Sequence, residues 1–185
     1  MAAATRLFVA ILPPAIVRAE LAALASPLVD ARWTPEENIH LTLRFIGETE
    51  LEKMEKFAAS LARVRVEPFI LPVGGVGLFP SREPAQVIWT GVGQAHTRLF
   101  QLRKQVDEAL LAVDGGLEVR TFHPHFTLGR LVGSHAPREL ESFLTRHKAF
   151  EAPPFRVREF SLMASEHQPG RAPGYQPVRT FALQR

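Results

Sequence analysis

Two short strings with the same pattern, His-x-Thr-Leu, constrain the fold of this chain more than any other feature. They are His40-Leu41-Thr42-Leu43 and His125-Phe126-Thr127-Leu128, and they are called the two tetrads below. Each lies in an apolar run typical of a β-strand, where successive side chains point to opposite faces. We therefore expect the histidine and threonine of each tetrad on one face of a strand, and its two apolar residues in the core.

The tetrads occupy equivalent places in a repeated order of strand, helix, strand, helix, strand. In the first half, the apolar patterns predict strands at 6–12, 39–46 and 69–76, a helix from Pro13-Pro14 to about Pro27, and a second helix opened by a capping box at Thr49-x-x-Glu52. The last of these strands leads into a predicted glycine-rich turn at 74–77. In the second half, the apolar patterns predict strands at 87–90, 126–132 and 155–163, helices around 99–110 and from Pro137, and a terminal strand at 177–183.

This order predicts a bilobal α+β fold with two pseudo-symmetric halves, each with an antiparallel sheet and helices, around a central cleft. We expect one domain over residues 1–185, made of two structural repeats, about 5–80 and 85–165, plus the terminal strand. A tetrad from each half would then face the cleft.

Composition narrows the chemistry. The chain has no cysteine, which excludes disulfides, thiolate metal ligands and a cysteine nucleophile. Its net charge is +3, and nearly all of its positive charge is arginine, which grips phosphate with two donors. A general preference for arginine codons would give the same composition. The apolar N-terminal run is short and broken by Pro13-Pro14, so we expect a cytoplasmic protein without a membrane span.

Two imidazoles and two hydroxyls facing one cleft are a suitable set for cleaving a phosphodiester. One imidazole can take a proton from the attacking group while the other protonates the leaving oxygen, and each transfer is worth roughly 10²–10⁴-fold in rate. The hydroxyls can donate to the phosphoryl oxygens. This scheme needs no metal and no cofactor. A single tetrad would more simply be a strand with a packed histidine, but a pair at matching points of a repeat favours catalysis.

The two tetrads and their flanks resemble the two-histidine phosphoesterase superfamily, and within it the RNA 2',3'-cyclic phosphodiesterases, also called 2'-5' RNA ligases. The similar segments are 38–48, 123–130, the opening run 6–11 and the approach 33–38. The resemblance implies a bilobal fold and hydrolysis of RNA 2',3'-cyclic phosphate ends to 2'-phosphates. It also implies that His40 is the proton donor and His125 the acceptor. The expected partner is RNA or a nucleotide with a 2',3'-cyclic phosphate, and we expect a monomer.

Three further residues are candidates for substrate binding. Arg130 would lie opposite His125 by strict alternation, but a bulge at Gly129 would turn it toward a phosphate. Arg44 shares the His40 face by parity and is the alternative phosphate ligand. Phe79 could stack on a base, although a core role is more common for such a residue. His123 and His125 form a His-x-His pair, but no acid or cysteine lies close enough in sequence to complete a zinc site, so we predict no metal.

Other functions remain open at this stage. The same acid and base could catalyse the reverse reaction, 2'-5' ligation of RNA. A non-catalytic nucleotide- or RNA-binding module is a second alternative, although binding alone would not need two imidazoles. A metal-dependent nuclease is disfavoured because few acidic residues lie near the tetrads.

Overall fold

A computed structural model describes residues 5–27, 31–80, 86–93, 97–118, 121–131, 137–166 and 173–185. Val132, predicted to end a strand, lies outside the described residues. In chain order the elements are β1 (Thr5–Ile11), α1 (Ala15–Ala22), β2 (Ala31–Trp33), a 3-10 turn (Glu36–Asn38), β3 (Leu41–Thr49), α2 (Leu51–Leu61), β4 (Phe69–Phe79), β5 (Val87–Val92), α3 (Thr97–Leu111), β6 (His125–Leu131), α4 (Pro137–Arg146), β7 (Glu151–Val157), β8 (Glu159–Glu166) and β9 (Gly174–Ala182).

The nine strands found among the described residues form one curled antiparallel sheet with two leaves. One leaf has the order β7-β4-β5-β6 and the other β3-β1-β8-β9, while β2 pairs with β6. The leaves meet at the single pair Leu41–Phe126. The predicted α+β class with two halves is therefore confirmed, and the two expected sheets are continuous at one point.

The third strand of each predicted repeat crosses to the other leaf. β4 follows β1 and β3 in the chain but pairs with β5 and β7, while β8 follows β6 and β7 but pairs with β1 and β9. The apolar stretch 155–163 is consequently two strands and not the single predicted one, because the chain changes leaf at Arg158. The repeats are similar in chain order and interlocked in space.

The core lies between the sheet and the helices. α3 packs against β3 and α2, and it buries the predicted residues Leu99, Leu102, Val106 and Leu110. Burial of each such side chain contributes about 1.5–3 kcal/mol. No helix among the described residues is both long and apolar enough to cross a membrane.

Several predicted boundaries were wrong for identifiable reasons. α1 ends at Ala22 and not near Pro27, and the start of α2 is not a capping box, since Glu50 is its N-cap and the Thr49 hydroxyl donates to the Gly47 carbonyl. The glycine-rich stretch is no turn, because β4 runs through it to Phe79. A Cβ at Gly77 would lie 2.2 Å from the Trp89 ring, so glycine there permits the indole to cross the neighbouring strand.

Candidate active site

The single pair that joins the leaves also brings the two tetrads together. Leu41 of β3 lies opposite Phe126 of β6 in antiparallel register. One step to either side of this pair, His40 lies opposite Thr127 and Thr42 opposite His125. Side chains directly opposite one another share a face. All four are half-buried, whereas the apolar tetrad residues Leu41, Leu43, Phe126 and Leu128 are at most 2% exposed, which confirms the predicted alternation.

Both strands carry the same irregularity just beyond the tetrad threonine. The β1–β3 register passes from Ala10–Thr42 to Val9–Arg44 and skips Leu43, while the β5–β6 register passes from Trp89–Thr127 to Ile88–Gly129 and skips Leu128. Each skipped residue is the third after its histidine. Such a β-bulge reverses the facing of the residues that follow it, up to the next irregularity of the strand.

The two bulges determine on which face of the sheet each candidate arginine lies. Arg44 is only 4% exposed and forms a salt bridge with Asp107 of α3 (Nη1 to Oδ1, 3.0 Å), so its predicted place on the His40 face was wrong. Arg130 pairs with Val87, two residues from Trp89, and therefore lies on the face of His125 and Thr127. Its side chain is exposed. As predicted, a bulge turns Arg130 toward this face, but the bulged residue is Leu128 and not Gly129.

Arg44 belongs to a buried ionic cluster that sequence reasoning missed. Asp107 Oδ1 also forms a salt bridge with Arg103 Nη1 at 2.8 Å, and the same guanidinium donates to the Leu43 carbonyl at the bulge. Burial raises the pKa of the Asp107 carboxyl, and the two arginines oppose that shift. The cluster thus fixes α3 to β3 directly beside Thr42.

Backbone carbonyls orient both imidazoles in the same way. The Nδ1 atom of His40 donates to the Asn38 carbonyl, and that of His125 donates to the His123 carbonyl, each at 2.7 Å. Because a carbonyl only accepts, Nδ1 carries a proton in each ring, and Nε2 is left for proton exchange. His40 Nε2 lies 3.1 Å from the Thr42 hydroxyl.

The pKa of both histidines lies below the ordinary value. For His40 the main cause is burial, opposed by the Asn38 hydrogen bond and reinforced by the charge of His125. For His125 the main cause is also burial, opposed by the His123 carbonyl and reinforced by the charges of His123 and Arg130. Both imidazoles are therefore biased toward the neutral form before any ligand binds.

Aromatic rings flank each histidine. His125 meets Phe79 edge-on at 5.1 Å between centroids, and Phe79 stacks on Trp89 at 4.9 Å. On the opposite side His40 contacts Phe8 at 4.9 Å and meets Tyr175 edge-on at 5.1 Å. Trp89 thus also lies beside the site.

Tyr175 and Asn38 were both missed as site residues. Tyr175 is the only tyrosine of the chain, and it is the second residue of β9. The Asn38 side chain donates to the Pro173 carbonyl at 2.9 Å, while the Asn38 carbonyl holds His40. Asn38 therefore ties the start of β9 to His40. The signal available in the sequence was an asparagine two residues before the histidine.

A cavity of about 480 Å³ opens beside the tetrads. Residues that line it include Thr42, His125, Phe45, Phe79, Phe122, Arg44 and Arg103. Within the described ranges, no group of three or more His, Cys, Asp or Glu side chains is placed to hold a metal ion.

Comparisons with known proteins point to the same two segments of the chain as the site does. A family model described as LigT like phosphoesterase matches residues 11–89 and 92–173, so each matched segment contains one tetrad. The chain belongs to the LigT-like phosphoesterase family.

Relatives named RNA 2',3'-cyclic phosphodiesterase occur in Escherichia coli (30% identity, 96% of each chain) and Aeropyrum pernix (36% identity over 57% of this chain). The alignments span 60% of the A. pernix protein and 50% of a Geobacillus stearothermophilus relative.

The E. coli LigT crystal structure in apo form superposes with a TM-score of 0.79 at 29% identity, covering 98% of this chain and 99% of that one. A second structure of E. coli LigT, complexed with 3'-AMP, gives a TM-score of 0.78 at 28% identity, covering 99% and 100%.

Proposed function

We propose that this enzyme hydrolyses the 2',3'-cyclic phosphate end of RNA to a 2'-phosphomonoester by metal-independent acid–base catalysis. The observation that carries the proposal is the register at Leu41–Phe126, which puts two imidazoles and two hydroxyls on one face of the joined leaves. The names of the relatives support the substrate, and the 3'-AMP complex of the E. coli protein supports a nucleotide ligand.

In the proposed reaction, His125 Nε2 accepts a proton from water, whose oxygen attacks phosphorus. The bond from phosphorus to O3' breaks, and His40 Nε2–H gives its proton to that oxygen, leaving a 2'-phosphate and a free 3'-hydroxyl. The more open surroundings of His125, which lines the cavity, suit the residue that meets water. Phe8 and Tyr175 against His40 suit the side that excludes water.

Thr42 and Thr127 would donate their hydroxyl protons to the non-bridging phosphoryl oxygens, where negative charge accumulates. Arg130, exposed on the same face, would add positive charge to that side of the substrate. Phe79 would offer the ring face turned away from Trp89 to the terminal base. Arg44, enclosed with Asp107, would have a structural role in place of the substrate contact first expected.

Product mapping with an oligoribonucleotide that ends in a 2',3'-cyclic phosphate tests the reaction. In excess chelator, the expected product carries only a 2'-phosphate. Activity that disappears with chelator and returns with zinc or magnesium would refute the metal-independent scheme, and a 3'-phosphate product would refute the assigned leaving oxygen. A protein treated with chelator and then dialysed serves as the control for chelator inhibition.

A further inference from the structure

Two arginines lie directly opposite one another on the face of the sheet that carries the tetrads. Arg32 of β2 pairs with Arg130 of β6, and both side chains are exposed. Because directly opposite residues share a face, Arg32 lies on the same side of the sheet as Arg130, His125 and Thr127.

The pairing is unfavourable unless an anion lies between the two side chains. Directly opposite residues have Cβ atoms only about 4.5–5.5 Å apart, and like charges in that position destabilise a sheet. No salt bridge joins Arg32 or Arg130 to a carboxylate in the part of the chain that the structure describes. Among the described residues six arginines do form one, Arg6, Arg44, Arg98, Arg103, Arg179 and Arg185, whereas other exposed arginines such as Arg63 and Arg156 do not.

The pair is also close enough to serve the catalytic site. The charge of Arg130 helps to lower the pKa of His125 and, against the effect of burial, that of Tyr175, so it acts on both sides of the cleft. Arg32 lies on β2, which pairs with the same edge of β6 as β3, and neighbouring strands are spaced about 4.8 Å apart. The two arginines therefore continue the face of the tetrads along β6.

We propose that Arg32 and Arg130 form a second phosphate site, which binds the phosphodiester on the 5' side of the terminal cyclic nucleotide. Two guanidinium groups can grip such a group with several charge-assisted hydrogen bonds. The inference rests on the proposed function and extends it: the preferred substrate is an RNA chain, and a mononucleotide cyclic phosphate lacks the group that this site binds.

The test compares kcat/KM for a cyclic-ended dinucleotide and for the matching nucleoside 2',3'-cyclic phosphate. Wild type should prefer the dinucleotide. Arg32→Ala should lower kcat/KM for the dinucleotide about tenfold, the equivalent of one charge-assisted hydrogen bond, and leave the mononucleotide nearly unchanged. Arg156→Ala is the matched control, since Arg156 is also exposed but lies on the edge strand β7. It should change neither substrate.

A second measurement changes the substrate, so its wild-type arm does not depend on the folding of a variant. With wild type, a dinucleotide whose internal linkage is an uncharged methylphosphonate should have no higher kcat/KM than the mononucleotide. Arg32→Ala should not lower kcat/KM for this uncharged dinucleotide any further. The slope of log(kcat/KM) for the charged dinucleotide against log[salt] should also become shallower by about 0.7 in Arg32→Ala.

The outcomes separate the two proposals. Hydrolysis of neither substrate by wild type would refute the proposed function. Hydrolysis of both, with no preference for the dinucleotide or with equal losses on the two substrates in Arg32→Ala, would refute the second phosphate site alone. Equal turnover of the charged and methylphosphonate dinucleotides by wild type would refute it as well.

Discussion

At the scale of single residues, the environment of the two histidines favours neutral imidazoles, although the proposed reaction needs one of them protonated. Burial lowers the pKa of both rings, and each fixed Nδ1 proton leaves Nε2 as a proton acceptor. The negative charge of a bound phosphodiester would favour the protonated form of a neighbouring imidazole. The substrate would thereby supply the charge that makes one histidine an acid.

Alanine in place of either histidine should lower turnover by at least about 10²-fold with the fold intact, the usual worth of a positioned acid or base. Steady-state kinetics with circular dichroism as the folding control checks this. A phosphodiester with a p-nitrophenolate leaving group distinguishes the roles, because that oxygen departs without a proton. The loss in His40→Ala should then shrink while the loss in His125→Ala stays. The reverse pattern would exchange the two assignments, and near-normal turnover in either variant would remove that residue from the mechanism.

The pH dependence should carry the sign of the lowered pKa values. In the free enzyme one histidine must be protonated and the other neutral, so kcat/KM is largest between two apparent pKa values that both lie below the ordinary 6.5. We expect kcat/KM to fall as pH rises above about 6.5. The basic limb of kcat, which reports the bound complex, should lie at higher pH because the phosphate favours protonation. A kcat/KM that is flat from pH 6 to 9 would contradict this account.

At the scale of elements, the two bulges decide what sequence could predict about the site. Alternation correctly put the apolar tetrad residues in the core, because the change of facing begins only after the skipped residues Leu43 and Leu128. It failed for Arg44, one residue beyond the skipped Leu43. Arg130 was placed on the right face only by invoking a bulge near glycine. A bulge depends on pairing with another strand, so the strand's own sequence does not specify it.

Other elements escaped prediction because they depend on contacts distant in sequence. β2 has only three residues, too few for any periodicity, and it forms by pairing with β6 about a hundred positions later. Tyr175 reaches His40 because Asn38 holds the start of β9. Chemistry that repeats within the chain was predictable from sequence, whereas residues that join distant segments were not.

The ionic cluster between α3 and β3 gives a prediction at this scale. Asp107→Ala leaves Arg44 and Arg103 buried side by side without a counter-charge, and loss of one partner from such a buried cluster costs about 3–5 kcal/mol. Denaturant unfolding should show that loss, and turnover should fall because Thr42 precedes the bulge that Arg103 holds. Asp114→Ala, which removes a surface partner of Lys53, is the matched control and should change little. Equal stability of the two variants would contradict the structural role of the cluster.

At the scale of the whole molecule, the exchange of third strands means that neither repeat can complete a leaf by itself. Without β4, the β5 edge would present unpaired N–H and C=O groups, and without β8 the β1 edge would do the same. The site also depends on both leaves, because each leaf contributes one tetrad and the two tetrads meet at the pair Leu41–Phe126. Stability and catalysis should therefore be properties of the intact chain and not of its halves.

Dividing the chain between residues 80 and 86 tests this interdependence. Fragments 1–80 and 86–185 should each lack a cooperative unfolding transition, because each would expose both strand edges and the apolar face that the other covers. Mixed, they should associate, recover one transition and regain phosphodiesterase activity. Calorimetry of each fragment, of the mixture and of the intact chain measures this directly. If either fragment unfolded cooperatively alone, that repeat would be an independent folding unit. The crossing of β4 and β8 would then connect the two repeats without making the stability of one depend on the other.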